Sequence, residues 1–374
     1  MDNKLSTIIE NLEKNPLFAM SLGNKELFHS NFWAWLMELE VESGKCKEKT
    51  SFINFFFNVP SELFDSKIII DREKGNRDIT VTLGQESYVI ENKIKSIPTE
   101  KQLKDYTEKL RDKFAGGILT GVKQTLNIED SNLKTKWDFK SYREIADFLK
   151  GYRIELNDNK YDNEYINQTI QKYSELLIIT NELFDYVENN FDNQMPNSKQ
   201  EFYAIIEKVK MADICKKIVC SKFEENLKNS SDLNFEDENW ELKIKSGFSN
   251  KNAITDIFIT KKVQNNEEIF IGIQIEGSQY RRVVNVPLIK PEQIFDHFKE
   301  LGWFDSNYNK NLKEITFADR REKTGMKNEF CKYAPSFTYQ YFNLTKFNFD
   351  VLTSLIITDI QEARKLLNDS IFKI

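Results

Sequence analysis

Asp78, Glu91 and Lys93 are the residues of this chain whose types and spacing could carry out chemistry together. They lie in the stretch RDITVTLGQESYVIENK, residues 77–93. Two β-rich runs flank Gly84-Gln85, and a glycine at the first central position suits a two-residue type II′ hairpin turn. That turn sets Leu83 opposite Glu86, Val81 opposite Tyr88 and Asp78 opposite Glu91. Side chains alternate with a period of two, so Lys93 shares the face of Glu91, and Ile79, Val81 and Ile90 fill the other, buried face. Directly opposed residues have Cβ atoms roughly 5 Å apart, where like charges repel. Two carboxylates held this way beside a lysine point to a bound cation. Oxygen ligands suit a hard cation such as Mg2+ (or Mn2+), which takes one or two carboxylates with water and substrate phosphate. Lys93 is then placed to orient or activate a water, or to stabilise charge building on phosphate. The group as a whole suits phosphodiester hydrolysis. The Asn92 side chain points to the opposite face, with its backbone carbonyl available as a further ligand. Taken alone, a Glu-x-Lys at a strand end equally fits a solvated strand face; the opposed Asp78 adds the weight.

Positioning these residues requires a sheet with helices packed on it. Residues 4–13 read as a short helix, and residues 25–40 as a helix with Leu27, Phe28, Phe32, Trp35, Leu36 and Leu39 on an apolar stripe. A polar loop is expected from Glu40 to Lys49, an aromatic helix over residues 51–58 and a strand over 67–73. After the hairpin, Pro98 and Thr99 open a helix reaching about Lys113, which Gly116-Gly117 stops. A short strand follows over residues 117–120, and a helix over 141–150. The order helix, three strands, helix, strand describes an α/β sandwich with a small mixed sheet. Residues 163–190 and 198–228 read as long amphipathic helices. Strands are expected over 240–246, 253–262, 268–276 and 281–286, with helices over 291–300 and 351–367. Three segments follow: residues 1–155 carrying the hairpin, a helical connector over 156–230, and an α+β domain over 231–374. A weak internal echo links Thr255-Asp256-Ile257 to Arg77-Asp78-Ile79; ordinary antiparallel strands are the default reading there.

The arrangement resembles the PD-(D/E)XK nuclease superfamily, with Asp78 and then Glu91-Asn92-Lys93 as the Glu-x-Lys element. The proline that often precedes the aspartate is replaced by Arg77. Within that superfamily the chain is similar to the group with an N-terminal Glu-x-x-His-Ser helix, here Glu26 to Ser30. That group also has an IENKI strand, here Ile90 to Ile94, and a Gln-x-x-x-Tyr helix, here Gln102 to Tyr106. The resemblance covers about residues 20–150. It implies a restriction-endonuclease-like α-β-β-β-α-β core. It implies Asp78 and Glu91 as metal ligands, Lys93 as the catalytic lysine, and Glu26 beside the metal, orienting a ligand or water. Gln102 and Tyr106, four apart on one helix face, are then expected to line the substrate side. Lys95 and Lys101 are further candidates for phosphate contacts, although interspersed Asp105, Glu108 and Asp112 also suit a solvated helix. His29 reads as a packed residue.

Composition bounds these expectations. Lys and Arg number 53 against 59 Asp and Glu, a net charge of −6, so a globally basic nucleic-acid binder is not indicated. The four cysteines form no Cys-x-x-Cys, and with two histidines a His-based metal site or a Ser-His-Asp triad is disfavoured. No signal peptide and no apolar run of about 20 residues is present, so a cytoplasmic protein with no membrane partner is expected. The leading expectation is a Mg2+-dependent nuclease acting on DNA, in bacterial defence or restriction. Its runner-up is a nuclease-fold module that binds nucleic acid or a partner protein without cleaving. A homodimer would accompany double-strand cleavage, although no interface signature is seen, and a defence-system partner is a further expectation. Arg281-Arg282 and the run Phe337 to Phe342 fit a base-stacking surface, with core strand packing as the alternative for the run.

Overall fold

The structure, a computed structural model, describes residues 3–15, 17–18, 26–94, 100–122, 128, 130–157, 161–190, 201–249, 252–263, 267–277, 279–304, 316–318, 331–332, 337–346 and 349–372. Contacts divide the chain into two compact units, Met1–Tyr186 with Ile205–Ile214, and Val187–Ala204 with Cys215–Ile374.

In the first unit, helices α1 (Asn3–Lys14), α2 (Glu26–Ser43) and α3 (Phe52–Phe57) precede strands β1 (Ile68–Arg72), β2 (Ile79–Leu83) and β3 (Glu86–Lys93). Helix α4 (Glu100–Leu110) leads to β4 (Phe114–Gly121), and β5 (Trp137–Ser141) to α5 (Tyr142–Leu149) and α6 (Asn163–Asn189). The five strands form one sheet in the order β1-β2-β3-β4-β5. The first three pair antiparallel and the last three parallel. The sheet is therefore mixed and the fold restriction-endonuclease-like, as expected, with α4 in the crossover that a parallel neighbour requires.

The hairpin has the register its turn chemistry dictates: Leu83 pairs with Glu86, Val81 with Tyr88 and Ile79 with Ile90. Gly84 has φ 60, and Gln85 is not among the residues of positive φ, the pattern of a type II′ turn. Three local readings are corrected. Gly116 and Gly117 lie inside β4; α4 ends at Leu110, and Arg111 takes a left-handed φ of 51. Gly117 is needed because a Cβ there would lie 2.5 Å from the Trp137 ring. That ring packs with Val89, Leu103, Tyr106 and Leu119 in one cluster. Strand β5, absent from the sequence reading, is the element that delivers it.

The second correction concerns Glu40, which begins no loop. It lies inside α2, fully buried, where its carboxylate accepts the N–H of Phe52, the N–H of Ile53 and the hydroxyl of Tyr152. Burial pushes its pKa up to about 7. Helix α2 buries more than one stripe, adding Trp33, Ala34 and Met37, while Leu27 is exposed. A helix packed on several sides loses its single apolar face. Third, the helix expected over 198–228 is two, α7 (Glu201–Glu207) and α8 (Ala212–Lys228), with Lys210 at φ 54 between them. Val209, Met211 and Ala212 are all buried, which one face of a straight helix does not allow.

The second unit is an antiparallel sheet ordered β10-β12-β9-β8-β7-β6, with β11 (Cys331–Lys332) on β12. Its strands are β6 (Glu241–Ser249), β7 (Asn252–Lys262), β8 (Glu268–Glu276), β9 (Gln279–Asn285), β10 (Thr316–Ala318) and β12 (Phe337–Lys346). Asp256 pairs with Gln274, and no strands pair parallel among the described residues of this second sheet, so the echo with residues 77–79 does not extend to the mixed topology. Helices α9 (Pro291–Glu300) and α10 (Phe349–Leu366) pack on this sheet. Arg282, 2% exposed, fixes α10 by reaching Asp359 at 2.7 Å, with Tyr280 donating to the same carboxylate at 2.6 Å. Residues 337–342 lie in β12, with Phe337, Thr338 and Gln340 buried and Tyr339, Tyr341 and Phe342 half-buried.

Candidate active site

Asp78 stands immediately before β2, one position beyond the Ile79–Ile90 pair and therefore across from Glu91. Its Oδ2 accepts the backbone N–H of Asn92 at 2.7 Å. Strand β3 carries Glu91 and Lys93 to the same edge. Glu91 is 2% exposed, and its Oε1 gathers Lys93 Nζ at 2.6 Å and Gln102 Nε2 at 2.7 Å. Its Oε2 is buried with no donor at full hydrogen-bonding geometry, the Asp78 backbone N–H acting on the carboxylate only enough to oppose the rise in its pKa. A buried carboxylate oxygen without such a donor is costly, and its natural complement is a cation.

Electrostatics sharpen the point. Burial, then the nearby Asp78 charge, push the Glu91 pKa up to about 7, with Lys93 opposing. Burial also raises that of Asp78. For Lys93, burial acts to lower the pKa, but Glu91, Glu26 and Asp78 outweigh it and the net direction is upward. With Glu26, whose charge also acts on Asp78 and Lys93, three carboxylates beside one ammonium carry a net charge of −2 when all are ionised, which one divalent cation would balance. Among the described residues no group of three or more His, Cys, Asp and Glu side chains is placed to hold a metal ion. Asp78 and Glu91 are the two carboxylates brought together here, and a pair of this kind suits a cation that completes its shell with water and phosphate.

Asn92 works on the opposite face. Its Nδ2 donates to the Glu26 carbonyl at 2.9 Å, and its Oδ1 accepts from Tyr142 at 2.7 Å and Thr120 at 3.0 Å. The side chain ties β3 to α2, β4 and α5, leaving the backbone carbonyl as its only candidate ligand atom. Glu26, first residue of α2, accepts the Ile94 N–H through Oε1 at 3.0 Å, and its charge is felt by both Asp78 and Lys93. Helix and strand end are thereby locked at the site. His29 is buried and shares a hydrogen bond with Tyr173 at 2.8 Å, a packed residue.

Gln102 and Tyr106 lie one turn apart on α4, as their spacing requires. Both direct polar atoms at Glu91: Gln102 donates to it and to the Tyr106 hydroxyl at 2.7 Å, and that hydroxyl donates to the Asn76 carbonyl at 2.5 Å. Lys101 is exposed on α4 and outside this group; Lys95 lies outside the described residues. Sequence reasoning missed Asn76, Thr120 and Tyr142. The run Ser141-Tyr142-Arg143-Glu144 carried the one available signal, since Ser141 and Glu144 form the capping box that starts α5 and sets Tyr142 under β3.

A family model described as the PD-(D/E)XK nuclease superfamily matches residues 14–175. No curated protein and no solved structure matches the chain.

Proposed function

Residues 14–175 belong to the PD-(D/E)XK nuclease superfamily, and from that premise we propose that the chain is a Mg2+- or Mn2+-dependent endonuclease acting on DNA, with its centre at Asp78, Glu91 and Lys93. The observation that carries the reading is the Glu91 carboxylate. One oxygen is fixed by Lys93 and Gln102, and the other is buried without a donor at full hydrogen-bonding geometry, opposite a second carboxylate. Asp78 and Glu91 would hold the cation, with the Asn92 carbonyl beside them. Such a cation, when bound, polarises a phosphate oxygen and lowers the pKa of water.

The remaining roles belong to the chain. Lys93 keeps its positive charge at neutral pH and lies where negative charge builds on the scissile phosphate, so it acts by fixed electrostatic stabilisation. Gln102 and Tyr106 are positioning residues: Gln102 donates to Oε1 so that Oε2 faces the cation, and Tyr106, anchored on the Asn76 carbonyl, holds Gln102 by accepting from it, in the manner of outer hydrogen bonds that orient a ligand. Glu26 steadies the strand end through Ile94 and adds negative charge that favours cation binding. A role in bacterial defence or restriction rests on the resemblance alone; the Lys-, Asn-, Ile- and Phe-rich composition suits an A·T-rich genome and is silent on that role.

The test is incubation of the purified chain with supercoiled plasmid, linear duplex, single-stranded DNA and RNA, each with Mg2+, Mn2+ or chelator. Cation-dependent internal cuts in DNA are expected. Nucleic-acid binding without cleavage of any substrate would replace this reading with the non-cleaving binding module.

A further inference from the structure

We infer that the outer edge of β6 in the second unit is a docking groove for an extended, basic polypeptide segment that pairs with it as an added strand. Among the described residues β6 pairs with β7 alone. Its outer side is identified by Ser246, whose N–H donates to Glu224 Oε2 of α8 at 2.7 Å rather than into the sheet. In an antiparallel ladder, alternate residues turn their N–H and C=O to the same side. Leu242 and Ile244, four and two residues before Ser246 in an unbroken register, therefore present theirs to that outer side.

A cavity of about 750 Å³ runs along this part of the strand. Leu227, Leu233 and Ile244 form its floor, all buried. Glu236, Asp237, Glu238 and Glu241 stand on its rim, all exposed. The basic residue on the lining is Lys228, whose ammonium is held by Glu224 at 2.6 Å. The wall opposite the strand has a defined shape, because Asp237 Oδ1 accepts the N–H of Asn239 at 2.8 Å and of Trp240 at 3.1 Å.

An edge strand supplies main-chain hydrogen bonds, and pockets beside it select alternate side chains. The floor selects apolar residues at every second position, and the acidic rim selects lysine or arginine between them. A second copy of the chain would bring acid against acid across the same edge, which disfavours self-pairing. The groove uses none of the residues near Glu91, so it stands or fails independently of the nuclease reading.

The test uses the full chain and a fluorescein-labelled octapeptide, (Lys-Val)4, by fluorescence anisotropy at low salt. Saturable binding is expected, weakened about tenfold or more by the paired exposed substitutions Glu236→Lys and Glu238→Lys, with plasmid cleavage unchanged. Methylating alternate backbone nitrogens of the peptide should abolish binding in one register only. The inference is overturned by no saturable binding, by equal binding of (Glu-Val)4, by indifference to the charge reversal, or by equal binding of both methylated peptides. A dimer in sedimentation that the peptide dissociates would assign the edge to a second copy and overturn it as well.

Discussion

At the scale of single residues, the proposed chemistry turns on Glu91. The proposed cation would bind its ionised form, and burial with the Asp78 charge pushes its pKa up to about 7. Mn2+ affinity measured by calorimetry should therefore rise as pH increases to about 7 and then level off, at roughly tenfold per unit on the acid side. The same shift has a stability consequence with a definite sign. A carboxyl whose folded pKa of about 7 exceeds its ordinary value of 4.5 favours folding fully below 4.5, and loses that contribution as pH rises through 7. The melting temperature of the ion-free wild type should thus fall, relative to Glu91→Gln, between those two pH values, and Mn2+ should restore it at pH above 7. A flat difference would contradict the burial and Asp78 repulsion assigned to Glu91. Gln102→Ala separates two roles for α4. As a positioning residue, its loss lowers kcat about tenfold with little change in KM; a substrate contact would raise KM instead. The Asp78–Glu91 opposition was legible in the sequence because turn chemistry and period-two alternation fix register. The target of Gln102 and Tyr106 was not, since it depends on how α4 lies against β3, which no local pattern encodes.

At the scale of elements, the hairpin, α2 and α5 follow from turn residues, apolar spacing and a capping box. Strand β5 and the glycine it requires do not. Gly117 matters because Trp137, twenty positions later, lies against it; its place in the strand over 117–120 was legible, but the added reading as a helix stop missed this packing reason. Gly117→Ala should cost about 1–3 kcal/mol through overpacking. Gly151→Ala, where an added Cβ meets nothing within 4 Å, should be close to neutral. Thermal denaturation of the two variants compares them directly, and equal melting temperatures would refute the close approach. The break between α7 and α8 was hidden for the same reason: which of Val209, Met211 and Ala212 are buried is settled by neighbours distant in sequence.

At the scale of the whole molecule, the first compact unit continues through α6 and returns at Ile205–Ile214. Helix α6 buries Ile166, Ile170, Tyr173, Leu176 and Leu177, and Tyr173 bonds His29 of α2. A fragment ending at residue 155 should consequently show no cooperative unfolding transition, whereas one ending at 214 should; circular dichroism melts test this. The net charge of −6 argues against nucleic-acid binding over the whole surface and for recognition confined to local features. The central claim is that Lys93, beside two carboxylates that hold a divalent cation, stabilises phosphodiester cleavage. Its most direct test is the initial rate of plasmid cleavage in Mg2+ by wild type and by Lys93→Ala, whose Mn2+ affinity is matched by calorimetry. The account predicts a fall of at least about a hundredfold with metal binding retained; equal rates would contradict it.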